Sequence, residues 1–289
     1  MTDSAASAPS VGEPFGPGTA VRAVGHRGAA AVAPENTLPG FRHAVEVGAD
    51  GVEFDLQCSR DGEPVVIHDE TVDRTTDGTG AVEEMSLDEL KELDAGHAYT
   101  PDRGRSHPYR GRGVRIPTLD EVAESTGQLP MIVEVKSARA GRALGAWLRG
   151  EGSDHRDRIV VGGFDPAEVA PAAGAARWRC AYQDELLPFV LLGKIGLDGL
   201  ASSPGADAAM VPEKRWGIRV VSSGFCRRAH REGMGVFVWT VNRPDRMRRL
   251  LDRGVDGLVS DAPGRVRRVL EEREVLDVDE PPRSLPAGD

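Results

Sequence analysis

Three carboxylates lie within segments of the sequence that otherwise have the composition of buried β-strands. Glu53 and Asp55 alternate with apolar residues in one such segment, and Glu134 lies in another. Because successive side chains of a strand point to opposite faces, Glu53 and Asp55 share one face. If these carboxylates only paired with Arg27 and Lys136, uncompensated negative charge would remain in a low-dielectric interior. A divalent cation removes that excess, and an all-oxygen ligand set favours Mg²⁺ or Ca²⁺ over zinc.

Two histidines complete the candidate site. His26 follows the first predicted strand and His68 follows the third. Histidines on either side of a bound metal can move protons near neutral pH, which the expulsion of an alkoxide requires. Arg27 and Lys136 add positive charge that suits an anionic phosphate ester and its transition state. Together these residues predict metal-assisted chemistry on a phosphate ester.

A short connection joins the second and third predicted strands. It is too short for a crossover helix, and Asp61-Gly62 is a strong signal for a two-residue hairpin turn. A turn centred on these residues places Asp55 opposite His68, on the face that Asp55 shares with Glu53. The alternative is an irregular turn between parallel neighbours, which would loosen this pairing and keep the shared face.

The elements that must position these residues alternate between strand and helix. The predicted strands are 21–25, 51–57, 64–67, 131–136, 158–163, 177–182, 208–211, 235–241 and 257–260, and the predicted helices are 35–47, 86–93, 118–125, 138–149, 165–170, 222–231 and 244–251. This order predicts an α/β protein with a parallel sheet, and we expect a distorted (β/α)₈ barrel rather than an open doubly wound sheet. The absence of a GxGxxG motif after the first strand disfavours the dinucleotide-binding alternative. A barrel places its active site at the C-terminal ends of its strands.

Composition narrows the class of partner. The 289 residues carry a net charge of −10, which argues against nucleic acid because a binder of phosphate backbones is basic. Three widely spaced cysteines form no disulfide framework, which predicts a reduced, cytoplasmic setting. The longest apolar run, 186–197, is too short to span a bilayer. We expect a protein without a transmembrane segment that acts on a small molecule; its oligomeric state stays open.

The chain divides into a flexible leader, one catalytic barrel and a tail. Residues 1–20 are rich in Ser, Ala, Pro and Gly, and the end of the chain from residue 273 is polar. Between them, 21–272 is predicted to form the barrel domain. The segment 69–117 has little strand character and is too long for an ordinary connection, so it is predicted to be a small cap inserted over the barrel mouth.

Several motifs occur in colinear order over about residues 21–266. They are VGHRG at 24–28, PENT at 34–37, VEFDL at 52–56, VIHD at 66–69 leading into DRTT at 73–76, LDEL at 87–90, IPTL at 116–119, EVK at 134–136, WTVN at 239–242 and GLVSD at 257–261. In these motifs the sequence closely resembles the glycerophosphodiester phosphodiesterase family.

That resemblance implies a distorted TIM barrel, of the type found in phosphatidylinositol-specific phospholipase C, that hydrolyses glycerophosphodiesters to sn-glycerol 3-phosphate and an alcohol. By motif, Glu53, Asp55 and Glu134 would bind the divalent cation, Mg²⁺ or Ca²⁺, and His26 and His68 would be the acid-base pair. The substrate and its phosphate would contact Arg27, Lys136 and Trp239, although Trp239 could instead pack inside the barrel. Attack on phosphorus by water and attack by a neighbouring glycerol hydroxyl both stay open.

Two other functions also stay open. One is the same chemistry on a lysophospholipid, an activity of the lysophospholipase D type, to which the apolar run 186–197 could contribute by binding an acyl chain or a membrane surface. The other is a catalytically silent barrel that binds phosphodiesters. The arginine-rich loop 97–115 could bind a second phosphate or an acidic head group. The simpler interpretations are a core helix for 186–197 and a solvated loop for 97–115.

Overall fold

A computed structural model describes residues 15–18, 20–195, 197 and 202–279, with side chains as far as Glu274. Eight parallel strands of these residues form a nearly closed barrel, in the order β6-β5-β4-β2-β1-β11-β10-β7. An isolated bridge between Cys180 and Ala208 joins its two ends. The strands are β1 Arg22–His26, β2 Gly51–Cys58, β4 Met131–Val135, β5 Ile159–Gly162, β6 Trp178–Arg179, β7 Ala208–Pro212, β10 Gly235–Trp239 and β11 Gly257–Ser260, with the antiparallel β3 Pro64–Val66 beside β2 and a separate hairpin of β8 Lys214–Arg215 and β9 Ile218–Arg219.

Helices alternate with the strands along the chain. They are α1 Leu38–Glu46, α2 Leu87–Glu92, α3 Leu119–Ser125, α4 Ala138–Arg149, α5 Pro166–Ala173, α6 Gln183–Lys194, α7 Ser223–Arg231, α8 Pro244–Leu251 and α9 Pro263–Asp279, and the 3₁₀ helices are Val82–Glu84 and Glu151–Arg158. Local signals set several of their starts. Asp165 caps α5 ahead of a proline at the first helical position, and Thr118 with Glu121 forms a capping box at α3. The predicted (β/α)₈ barrel is confirmed.

The close contact between α4 and α5 depends on a glycine. A Cβ atom at Gly141 would lie 1.9 Å from the backbone oxygen of Glu168, whereas one at Gly174 would meet nothing nearer than 3.6 Å, at a helical φ of −69°. We expect Gly141→Ala to lower the free energy of unfolding by about 2 kcal/mol or more. The matched change Gly174→Ala should leave it unchanged or slightly raised. Urea denaturation of both variants measures the difference, and equal midpoints would contradict this packing.

The hairpin between β2 and β3 is present, but its predicted register is wrong by one residue. Leu56 pairs with Val66, and the Ile67 N–H donates to the Asp55 carbonyl at 3.1 Å, so Asp55 lies opposite Ile67 rather than His68. The loop has three residues instead of two. The Gly62 N–H donates to the Ser59 carbonyl at 3.2 Å, and Gly62 has a φ of +97°, as in a type I turn that ends in a left-handed glycine.

The segment 69–117 between β3 and α3 contains α2 and a 3₁₀ helix. Its apolar side chains pack with residues of β3 and the residue after it in one cluster, formed by Val65, Ile67, Val72, Val82, Leu90, Ala95, Val114 and Ile116. The Tyr99 hydroxyl donates to the Ala31 carbonyl at 3.0 Å and so joins this segment to the loop after β1. Arg110 and Arg115 lie in the exposed loop and donate to backbone carbonyls of the same segment. These contacts match the interpretation of 97–115 as a solvated loop.

Two observed helices lie outside the seven predicted helix ranges, although a core helix was the simpler interpretation of the run 186–197. Helix α6 takes up most of the apolar run 186–197, and the last helix, α9, continues to Asp279. The segment from residue 273, which its composition predicted to be a solvated tail, is therefore helical as far as Asp279. Charged residues are frequent in α9, and a polar sequence does not distinguish an exposed helical end from a coil. Among the described residues, no helix combines the length and apolarity needed to cross a lipid bilayer.

Candidate active site

The C-terminal ends of the barrel strands surround one cavity of about 350 Å³. All eight of the predicted site residues line it: His26, Arg27, Glu53, Asp55, His68, Glu134, Lys136 and Trp239. They come from five strands and from the residues that follow those strands. The structure therefore brings the whole predicted set together, even though the register expected for His68 is wrong.

Strand register explains why the carboxylates meet. Asp55 of β2 lies beside Glu134 of β4, and Glu53 lies beside His26 of β1 on the other side. Ligand oxygens of Glu53, Asp55 and Glu134 lie within 4.8 Å of one another. Parallel pairing thus converts an alternation within one strand into a carboxylate cluster across two strands, with His26 of a third strand beside it.

The electrostatics of this cluster favour a bound cation. Burial, together with the neighbouring charges of Asp55 and Glu134, raises the pKa of Glu53 to about 8. Burial also opposes ionisation of Asp55, but Lys136 and Arg27 outweigh it and lower the pKa of Asp55. The Nζ atom of Lys136 lies 2.8 Å from Asp55 Oδ1, and Arg27 Nε lies 3.1 Å from Asp55 Oδ2. Glu53 is thus the carboxylate that these cations compensate least, and a divalent cation fits the oxygen-only donor set.

His26 is held from one side of its ring. Its Nδ1 atom lies 2.6 Å from Asp261 Oδ1, and its Nε2 atom lies 3.9 Å from Glu53 Oε2. The amide of Asn242 donates to the other carboxylate oxygen of Asp261. Burial lowers the pKa of His26, but the hydrogen bond with Asp261 and the charge of Glu53 outweigh burial, so the net effect raises that pKa.

His68 is held in a similar way by a chain of ion pairs. Its Nδ1 atom lies 2.5 Å from Asp69 Oδ1, and Arg74 donates to the other oxygen of Asp69. Arg74 also donates to both oxygens of Glu35 at 2.8 Å, and Glu35 accepts from Arg27 at 2.7 Å. Side-chain hydrogen bonds with Arg74 and His68 lower the pKa of Asp69 to about 2, so it stays ionised.

Asn36 is a further member of the site, and its role was not predicted. Its side-chain amide donates to Asp55 Oδ2 at 2.8 Å, and it is buried with a φ of +55°. Arg27 also has a positive φ, 49°, and its N–H donates to Glu53 Oε2 at 3.1 Å. Left-handed backbone at these two positions turns both groups toward the carboxylates. The predicted helix 35–47 included Asn36, whereas the observed helix α1 begins at Leu38 and leaves Asn36 free to adopt a left-handed conformation, which asparagine tolerates.

Asp261 provides a test of how His26 is positioned. Because Asp261→Asn removes the negative charge beside Nδ1 and places an amide against the Asn242 donor, His26 loses its orientation. We expect kcat to fall roughly 10- to 100-fold with little change in KM. Steady-state kinetics on the substrate class that the motifs predict, a glycerophosphodiester, measure this, with Asp157→Asn, in an exposed ion pair with Arg177, as the matched control. A change confined to KM would contradict a positioning role.

The opposite side of the cavity is apolar. Trp239 forms part of it and meets Phe164 edge to face, with ring centroids 6.4 Å apart. Trp239 also packs on the apolar cluster at the centre of the barrel. Trp239 therefore both lines the cavity, where it could contact substrate, and packs inside the barrel, which are the two interpretations left open for it.

The fold and the site together define a TIM barrel with a carboxylate cluster at its mouth. The model of the glycerophosphoryl diester phosphodiesterase family matches residues 26–265. A glycerophosphodiester phosphodiesterase of Caldanaerobacter subterraneus subsp. tengcongensis is 32% identical over 83% of this chain and 93% of its own length. One of Bacillus altitudinis is 29% identical over 86% and 97%. The crystal structure of a glycerophosphodiester phosphodiesterase from Agrobacterium tumefaciens covers 85% of this chain and 98% of its own, with a TM-score of 0.65 and 28% identity.

The chain therefore belongs to the glycerophosphoryl diester phosphodiesterase family, and it is an enzyme that hydrolyses glycerophosphodiesters. The family match includes every residue of the carboxylate cluster and both histidines. The family membership predicted from the motifs is confirmed.

Proposed function

We propose that the protein hydrolyses glycerophosphodiesters to sn-glycerol 3-phosphate and an alcohol, with His26 and His68 as its acid-base pair. A divalent cation, Mg²⁺ or Ca²⁺, would be held by Glu53, Asp55 and Glu134. One observation carries the proposal. Three carboxylates with oxygens within 4.8 Å of one another line the same cavity as two histidines, each paired through Nδ1 with another carboxylate.

The donor set supports a hard divalent ion. Its three members are all carboxylates, and the cavity-lining residues include one cysteine, Cys180, whose buried thiol has a raised pKa. When bound, such an ion supplies positive charge that stabilises the developing charge on phosphate oxygens or lowers the pKa of an attacking hydroxyl or water. Oxygen ligands alone do not separate Mg²⁺ from Ca²⁺, because cavity size and ligand number decide between them.

Arg27 and Lys136 would bind the phosphate group beside this site. Lys136 contacts both Asp55 and Glu134, and Arg27 contacts both Asp55 and Glu35. These pairings fix the two cations in place before a substrate arrives. A guanidinium has five N–H donors and an ammonium has three, so each retains donors for phosphate oxygens.

Each histidine would exchange a proton through its Nε2 atom. The Nδ1 atom of each ring is occupied, in His26 by Asp261 and in His68 by Asp69. This arrangement leaves Nε2 as the nitrogen that can meet a substrate oxygen, and an ionised carboxylate on Nδ1 stabilises the protonated ring. One histidine would remove the proton from the attacking oxygen, and the other would protonate the departing alcohol.

The products test this function. Incubation with sn-glycero-3-phosphocholine, followed by ³¹P NMR, is expected to show sn-glycerol 3-phosphate, with choline appearing in equal amount. Glycerol and phosphocholine would mean that the other ester bond is broken, and that result would contradict the proposal. Binding without turnover under any divalent ion would instead support a silent barrel. A transient cyclic glycerophosphate would identify the glycerol hydroxyl as the attacking group.

We also propose that 69–117 acts as a cap and that the enzyme works in the cytoplasm. The contact of Tyr99 with the loop after β1 supports the first point, because that loop leads into the site. All three cysteines are buried and free, which supports a reducing compartment. Cell fractionation with an antibody to the protein tests the location, and recovery outside the cytoplasmic fraction would overturn it.

A further inference from the structure

The cavity is larger and more apolar than a glycerophosphate group requires. The carboxylates, histidines and basic side chains occupy one side, and apolar side chains from five parts of the fold form the other. We call this second side the apolar wall. It comprises Phe164 after β5, Leu187 and Leu191 of α6, Met210 of β7, Trp216 and Ile218 of the β8–β9 hairpin, and Trp239 of β10.

Helix α6 contributes to the wall with residues that its own packing leaves exposed. Leu186, Phe189 and Val190 are buried against the protein. Leu187 and Leu191, one turn apart, are 42% and 43% exposed and line the cavity. One side of α6 is therefore a core helix, as the simpler interpretation of the apolar run expects, and Leu187 and Leu191 add an exposed apolar edge at the cavity.

The β8–β9 hairpin gives the wall its other exposed edge. Trp216 and Gly217 form a two-residue turn with φ values of 49° and 76°, and Trp216 is 69% exposed. The Arg215 guanidinium lies 4.7 Å from the centroid of the Trp216 ring and 6.0 Å from that of Phe164. A large indole side chain held at the tip of a tight turn, beside a cavity, is a contact surface for an apolar ligand.

We propose that the apolar wall binds the hydrocarbon chain of a glycerophosphodiester that carries one acyl or alkyl group. The inference rests on the proposed function, since the phosphate must lie at the carboxylates for a chain to reach the wall. It assigns the substrate class as lysophospholipids, whose phosphate and head group occupy the polar side. Small polar alcohols and glycerol have no apolar surface with which to cover these side chains.

Binding of chain-length homologues tests the wall without requiring turnover. Alkylphosphocholines with 4, 6, 8 and 10 carbons, each kept monomeric, are titrated into the full chain by calorimetry with either ion present. The dissociation constant is expected to fall about three- to fourfold for each methylene that contacts the wall. Equal affinity for the 4- and 10-carbon compounds would overturn the proposal.

Variants distinguish binding at the apolar wall from non-specific adsorption to exposed apolar side chains. Leu187→Gln with Leu191→Gln should remove most of the chain-length dependence, as should Trp216→Asn, which creates an Asn-Gly turn that suits this hairpin. Ile195→Gln is the matched control, because Ile195 is 68% exposed near the end of α6 and does not line the cavity. If Ile195→Gln lowered chain affinity as much as the wall variants, adsorption at the surface would replace the proposed subsite.

Rates of hydrolysis then show whether a negative result refutes the role of the apolar wall or the proposed phosphodiesterase reaction. We expect kcat/KM to be at least about tenfold higher for a monomeric short-chain lysophosphatidylcholine than for glycerophosphocholine. Hydrolysis of both with equal kcat/KM would overturn the wall and leave the phosphodiesterase intact. Chain-dependent binding with no hydrolysis of either compound would support the wall and refute the proposed reaction.

Discussion

Replacing Glu53 by glutamine is expected to lower kcat/KM for a glycerophosphodiester by about a thousandfold while the protein stays folded. Glu53 is 5% exposed, lies beside two other carboxylates and has its pKa raised to about 8, so of the three proposed ligands it is the one whose charge most needs a cation. A glutamine side chain has the same shape and still offers an oxygen to the Arg27 N–H. The substitution removes one negative ligand and little else.

Two measurements check this expectation. Titration with Mg²⁺ and Ca²⁺ should show weaker binding to Glu53→Gln than to the parent, and the urea midpoint should change little. Glu271→Gln, at an exposed position in α9, is the matched control and should behave as the parent does. Unchanged ion affinity together with more than about a tenth of the parent activity would show that Glu53 is not a metal ligand.

Replacing either histidine is expected to lower kcat by about 10²- to 10⁴-fold on glycerophosphocholine. His26→Gln and His68→Gln both keep the three carboxylates, because each ring is hydrogen-bonded outside the cluster, to Asp261 or Asp69, and His26 approaches the cluster only at 3.9 Å from Glu53. The loss should therefore appear in kcat with ion affinity preserved. His43→Gln, in helix α1, is the matched control and should keep full activity.

A change of leaving group separates the roles of the two histidines. A p-nitrophenyl phosphodiester releases a stable phenolate and does not require a general acid. Only one of the two variants should recover activity on it, and that variant lacks the acid. Recovery of neither variant, or of both to the same degree, would contradict a division of labour between His26 and His68.

The sequence made the site predictable because its residues stand out chemically within regular elements. Glu53 and Asp55 interrupt an apolar strand with a period of two, and Glu134 interrupts a second strand. Parallel pairing then aligns them without further information, since Asp55 lies beside Glu134. The register of His68 was not predictable in the same way. Because the Ser59 N–H donates to the Glu63 carbonyl, the loop includes Arg60 as well as Asp61 and Gly62, and this one additional residue changes every pair in the hairpin.

The apolar wall was harder to predict because its members are far apart in sequence and chemically ordinary. Leu191 and Trp216 resemble core residues by type, and their place beside the cavity depends on how α6 and the β8–β9 hairpin pack. Asp261 could be found as a polar residue at the end of a strand, but its contact with His26 joins β11 to β1, at opposite ends of the chain. The residue pattern within a segment predicts the helix or strand that it forms, but it says little about which other elements that helix or strand will contact.

The dependence of hydrolysis on a bound divalent ion is the most direct test of the proposed active site. The protein is stripped with a chelator, dialysed, and titrated with Mg²⁺ or Ca²⁺ while release of sn-glycerol 3-phosphate from glycerophosphocholine and the ion bound per chain are both measured. The carboxylate cluster predicts that activity disappears on stripping and returns in proportion to a tightly bound ion at Glu53, Asp55 and Glu134. Full activity in the ion-free protein would contradict the account.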